Sequence, residues 1–151
     1  MKPSDTNDPF DAAFAAARAA AEAGETPVGA ALVREGRVLA AAGNRVRADH
    51  DPTAHAEMLV LRAGARHLQT ERLTGCDLYV TLEPCAMCAG ALSLARIRRL
   101  YWAASDPKGG AVEYGPRFFA QPTCHHAPEL YGGFRERDAA ALLRDFFRAR
   151  R

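Results

Sequence analysis

The chain predicts an α/β sandwich, with helices on both faces of one sheet. Three observations carry that prediction. A segment with helical apolar spacing opens the chain. Two short apolar runs joined by Glu35-Gly36 follow it. Strand-like and helix-like segments then alternate toward the end. At 151 residues the length suits one domain with one sizeable core, so residues 1–151 are expected to form a single domain.

Each element has its own signal. Asp8-Pro9 reads as a helix cap and first helical residue. Phe10, Phe14, Ala17 and Ala21 make an apolar stripe, and Gly24 ends it. Val28 to Arg34 and Arg37 to Gly43 read as the strands of a hairpin. A polar loop from Asn44 leads to a second helix starting near Pro52-Thr53 and running to about Leu68. Leu78 to Leu82 is a buried-looking strand, Pro84 opens a third helix to about Ala95, and Arg99 to Ala103 is a further strand. The stretch from Ser105 to Gly133 is rich in Gly, Pro and aromatics. A segment of that length is functional or hides short elements, with a short helix at Phe118-Phe119 and a short edge strand at Glu129–Tyr131. A last helix is expected from Glu136 to Arg150.

The third helix has almost no polar face: Ala86, Met87, Ala89, Gly90, Ala91, Leu92, Leu94 and Ala95. A helix apolar all round is buried on two sides. One side faces the sheet. The other faces a second subunit or lies under the long loop or the last helix.

Composition excludes several classes. No run is long and apolar enough to span a bilayer, and the polar start, with Pro3 and Pro9, does not resemble a signal peptide. Four cysteines are no disulfide framework, and two of them sit at metal spacing. The expectation is a cytoplasmic protein without a membrane partner. A formal charge of +2 is too mild to demand a nucleic-acid partner. The C-terminal Arg144, Arg148, Arg150 and Arg151 either meet phosphates or complement the helix dipole.

The chemistry is concentrated in two words, His55-Ala56-Glu57 and Pro84-Cys85-Ala86-Met87-Cys88. His55, Cys85 and Cys88 are three good zinc ligands. Three protein ligands leave a metal position open for water, as catalytic sites require. Cys85 and Cys88 lie in a first helical turn, where the dipole favours thiolate. His55 and Glu57 are two apart, so both reach one site only from a helix N-terminus. The spacing therefore predicts two helix N-termini meeting at the metal. Two thiolates and an imidazole offset the zinc charge and leave water less acidic, so a nearby carboxylate base is valuable. Glu57 is that base: it takes the water proton and returns protons to a ring nitrogen and a departing amine. The competing reading is a closed zinc site with Cys76, Cys124 or His50 as fourth ligand. The combined spacing, H-x-E…P-C-x-x-C, is the pattern of zinc nucleobase deaminases and favours the open site. Cys76 reads as a small buried hydrophobe. Cys124-His125-His126 reads as a loop with one or two substrate-facing histidines, since adjacent residues rarely converge on one ion.

The words around these motifs carry a closer resemblance. They are Pro27-Val28-Gly29-Ala30, Gly43-Asn44-Arg45, Asp51 to Glu57, Thr81 to Gly90, Asp106-Pro107-Lys108-Gly109-Gly110-Ala111-Val112, and Leu142 to Phe147. Together they resemble the bacterial tRNA-specific adenosine deaminases of the cytidine deaminase-like superfamily, from about residue 10 to the end. The resemblance implies a three-layer α/β/α sandwich with a mixed five-stranded sheet, a homodimer, and one catalytic Zn2+ per subunit. It implies conversion of the wobble adenosine in an arginine tRNA anticodon loop to inosine. His55, Cys85 and Cys88 match the zinc ligands and Glu57 the proton shuttle. Asn44 matches the residue that hydrogen-bonds the flipped base, and Val28 packs in its pocket. Asp106, Lys108, Phe146 and Phe147 match contacts to the tRNA anticodon stem-loop. Adjacent on a helix, Phe146 and Phe147 are expected to divide into one buried and one exposed ring. The alternatives are deamination of a free base or nucleoside such as guanine or cytosine, and a non-catalytic zinc-containing RNA-binding subunit. The basic, aromatic last helix argues against the first, and Glu57 against the second.

Overall fold

A computed structural model describes residues 8–150. Lys2, Pro3 and Arg151 lie outside the described residues. Helix α1, Pro9–Glu22, starts on Asp8, whose side chain accepts the Phe10 N–H at 2.9 Å. Strands β1, Gly29–Arg34, and β2, Arg37–Gly43, form an antiparallel hairpin. Its turn needs positive φ at both central residues, and Glu35 and Gly36 supply 51° and 76°. Then come α2, Ala56–Leu68, β3, Cys76–Leu82, α3, Ala86–Ala95, and β4, Arg99–Ala104. A single 3₁₀ turn, Phe118–Ala120, the edge strand β5, Glu129–Tyr131, and α4, Glu136–Arg148, complete the order.

The five strands lie in the order β2-β1-β3-β4-β5. β1 is antiparallel to both neighbours, while β3, β4 and β5 run parallel, so the sheet is mixed. One face carries α2 and α3 over a core that includes Leu32, Val60, Leu78, Leu92 and Leu100. The other carries α1 and α4 over Phe10, Phe14, Ala103 and Ala139. This is the expected three-layer sandwich. The parallel pair β3–β4 is what matters for function: α3 follows directly from the end of β3, and the Ser105 to Tyr114 loop follows from the neighbouring end of β4.

Several boundaries differ from the sequence reading, each for a local reason. α2 starts at Ala56 rather than near Pro52-Thr53, because the Asp51 carboxylate accepts the Thr53 N–H and hydroxyl, both at 2.8 Å, and holds those residues in a turn. α3 starts at Ala86 rather than Pro84, since Cys85 caps it with extended backbone. β3 reaches back to Cys76, which pairs with Arg34 and is fully buried. α4 stops at Arg148, two residues short of the expected end.

Candidate metal centre and substrate cavity

Two helix N-termini meet below a cavity. His55 caps α2 with φ −75° and ψ 151°, and Cys85 caps α3 with φ −76° and ψ 176°. Both side chains are thereby released from helical directions and turn to the same point. His55 Nδ1 lies 3.6 Å from Cys85 Sγ and 3.5 Å from Cys88 Sγ. All three ligand atoms lie within 4.8 Å of one another. Zinc bonds of about 2.0 Å to nitrogen and about 2.3 Å to sulfur at tetrahedral angles set ligand atoms about 3.6 Å apart. The donor set therefore fits Zn2+ in both chemistry and spacing. Cys76 and Cys124 are not in this cluster: Cys76 is in the core, and Cys124 Sγ lies 3.6 Å from Ser93 Oγ near the far end of α3.

The electrostatics suit a metal and a proton carrier. The Cys88 thiol donates toward Cys85, which with the α3 N-terminus and His55 holds Cys85 down to about 5. Cys88 is pushed up by that same hydrogen bond and by burial. A divalent cation held here would displace the proton that Cys88 retains. Glu57, only 4% exposed on the first turn of α2, is pushed up to about 7 by desolvation. A carboxylate near neutrality can both accept and return a proton.

A cavity of about 460 Å³ opens above this floor. Val28, Asn44, His55, Glu57, Cys85, Asp106 and Phe146 all line it, so most of the predicted site residues converge. Cys88 lies behind the wall, fully buried. Lys108 and Phe147 are not on the wall. Lys108 is exposed on the lip, and Phe147 is 50% exposed beside the 9% exposed Phe146. Asn44 bridges floor and wall. Its Oδ1 accepts the Ala56 N–H at 2.8 Å, closing the first turn of α2. An N–H donor fixes the amide's orientation, so Nδ2 is left for a ligand in the cavity.

Four further wall residues lie outside the site residues expected from the sequence. Glu25, 3% exposed, accepts the Arg47 and Ala48 N–H groups at 3.1 and 2.8 Å and so shapes one lip. Arg150 covers the Phe146 ring, its guanidinium carbon 3.6 Å from the centroid, and turns a C-terminal arginine into a wall member. Arg47 and Glu83 complete the set. Two of the four have a sequence signal: Glu83, as a charge inside the apolar run from Leu78 to Pro84, and Arg150, in the basic C-terminal run. The loop expected to turn one or two histidines toward substrate places neither His125 nor His126 on the cavity wall. His126 donates from Nε2 to the Ile97 carbonyl at 2.7 Å and from its backbone to Ser93 Oγ, which pins it to the end of α3. His125 is exposed and away from the cavity.

Fold and site together define a zinc-dependent deaminase domain. Residues 4–104 match the cytidine and deoxycytidylate deaminase zinc-binding region. The tRNA-specific adenosine deaminase of Agrobacterium fabrum is 60% identical over 142 residues, covering 94% of this chain and 93% of that one. A solved structure from work on A-to-I editing by tRNA deaminases at the wobble position is 58% identical with a TM-score of 0.89, covering 89% of this chain and 98% of its own. A guanine deaminase from Bacillus subtilis is more distant, at 30% identity and a TM-score of 0.64 over 82% of each chain. The chain belongs to the zinc-binding cytidine and deoxycytidylate deaminase family, in the branch of the tRNA-specific adenosine deaminases.

Proposed function

We propose that this chain, acting as one domain, hydrolytically deaminates the wobble adenosine of a tRNA anticodon loop, in an arginine tRNA, to inosine. The observation that carries the reading is the joining of two things in one cavity: Glu57 above the His55, Cys85, Cys88 triad, and the Phe146–Arg150 pair of the C-terminal segment. A floor of that kind suits any base amine. An aromatic ring capped by a guanidinium suits a base that arrives with its phosphates.

His55, Cys85 and Cys88 would hold the zinc. When bound, it supplies Lewis acidity that makes water nucleophilic near neutral pH. The chain's own residues do the rest. Asn44 Nδ2 donates to an acceptor on the base edge and orients it. Val28, Leu82 and Phe146 give apolar walls that exclude bulk water. Glu57 accepts the proton released from water and passes protons to the ring nitrogen and to the amine leaving C6. A C–O bond forms, the C–N bond breaks, and the net change is adenosine plus water to inosine plus ammonia.

The same reading includes a homodimer and a cytoplasmic location. Support for the dimer is the outer face of α3, where Leu94 is 71% exposed beside half-buried Met87, Gly90 and Ala91. The location rests on the tRNA substrate. No helix among the described residues is long and apolar enough to cross a membrane.

The test compares an anticodon stem-loop bearing adenosine at the wobble position with free guanine, adenine and cytosine, reading products by mass. Inosine from the stem-loop is expected. Rapid turnover of a free base with an unchanged stem-loop would overturn the reading in favour of a nucleobase deaminase.

A further inference from the structure

Glu83 sits between the metal helix and the substrate lip, and its carboxylate is spent entirely on backbone. It is 2% exposed. Oε1 accepts the Asp106 N–H at 2.9 Å. Oε2 accepts three successive N–H groups, from Val112, Glu113 and Tyr114, at 3.1, 3.0 and 3.0 Å. Three successive amides converging on one oxygen make a nest of the kind that binds anions, and here the chain supplies its own anion. The backbone adds to the clamp: the Glu83 N–H bonds the Ala104 carbonyl at 2.8 Å, and the Pro84 carbonyl accepts from Ala111 at 2.9 Å. Gly110 is the residue that allows the wrap, because a Cβ there would run into the Glu83 carboxylate. A separate bond from Ser105 Oγ to Glu113, at 2.6 Å, ties the two ends of the loop together.

The geometry points to Glu83 as a positioning residue, which holds the Asp106–Tyr114 loop at a set height above the metal floor. The chain runs from Glu83 through Pro84 to Cys85. The side chain that orders the lip is thus two residues from a metal-ligand candidate, with a proline between them. The lip carries Asp106 on the cavity wall and Lys108 at its rim. Glu83 borders the cavity, but both of its carboxylate oxygens are taken by backbone N–H groups. It acts through Asp106, by fixing where that residue's backbone stands. Its kinetic consequence rests on the RNA reading above. Its structural consequence does not.

The test is Glu83→Gln, compared with the unsubstituted protein. Three N–H groups on one side require the amide oxygen there, so the amide nitrogen must face the Asp106 N–H, and that bond is lost. Hydrogen exchange should therefore speed up at Asp106, on the order of tenfold or more, while β1 and β3 amides keep their protection. On the stem-loop, KM should rise by roughly tenfold at full zinc content, with kcat within about threefold, because a displaced lip weakens binding without touching the proton shuttle. In an Asp106→Ala background the same change should raise KM much less, since the two act as one unit. Gly110→Ala approaches the clamp from the loop side and should give the same exchange and KM pattern, which keeps the test open if Glu83→Gln folds poorly. Unchanged exchange at Asp106 in both variants would overturn the clamp, whatever the substrate proves to be. A fall in kcat and zinc together at constant KM would reduce Glu83 to a fold-stabilising residue. An unsubstituted protein inert on the stem-loop would count against the RNA reading alone, with exchange still deciding the clamp.

Discussion

The floor of the cavity and its wall are built in opposite ways. The floor comes from two short words on two helix N-termini, His55 to Glu57 and Cys85 to Cys88, brought together because α2 and α3 pack on the same face of the sheet. The wall comes from five separate stretches: Gly24 to Val28, Asn44 to Arg47, Leu82 with Glu83, Asp106 to Gly109, and Phe146 with Arg150. The floor needs fixed distances among few atoms, and short spacing delivers them. The wall needs a shape, and a shape can be assembled from anywhere in the chain. Chemistry is therefore local in this fold and selectivity is distributed.

That contrast can be broken by mutation, and the largest effect should fall on the floor. Glu57→Ala should lower single-turnover rate on the stem-loop by about 10²–10⁴, the usual worth of a positioned proton carrier, with zinc still bound by metal analysis. If zinc leaves as well, Glu57 is a ligand and the division of labour is wrong. Removing zinc by chelation should come next. At metal well above its dissociation constant, bound zinc stabilises by about 3–4 kcal/mol, and each kcal/mol moves Tm by about 2–4 °C at this size, so a fall of roughly 10 °C is expected by calorimetry.

Effects on the wall should be smaller and of another kind. Phe146→Ala removes a wall ring, and a base packed against such a ring gains about 1–3 kcal/mol, so KM for the stem-loop should rise roughly fivefold or more while kcat is largely kept. An equal loss in kcat would mean that the ring shapes the floor. Asn44→Ala sharpens the boundary, because this residue serves both sides. It should lose about 1 kcal/mol of stability, measured in urea, through the uncapped Ala56 N–H, and also weaken base binding. Phe147→Ala should be mildest, within about 0.5 kcal/mol in stability, as its ring is half exposed outside the cavity.

The same contrast decides what could be read from the sequence. The floor was legible down to the atom type: ligand spacing, the spare carboxylate and the helix N-terminal geometry follow from residue spacing and helix geometry. The α/β layering was legible from alternation, and the division of Phe146 and Phe147 from helical periodicity. What stayed hidden depends on tertiary hydrogen bonds. Nothing local shows that Glu25 reaches Arg47 and Ala48, or that Glu83 gathers four distant N–H groups. His126 misled for the same reason. A polar histidine in a Gly- and Pro-rich segment invites a ligand role, yet its ring serves the unpaired Ile97 carbonyl just past the end of α3. Helix starts were misplaced where side chains outcompeted helical backbone, as Asp51 does at Thr53.

The central claim is that floor and wall are separable. Stem-loop affinity of zinc-loaded Glu57→Ala measures this most directly, by titration of the labelled RNA. The account predicts a Kd within about threefold of the unsubstituted protein, since Glu57 moves protons and the wall binds RNA. A Kd weakened a hundredfold with zinc in place would contradict it, and would make the floor itself the main source of RNA affinity.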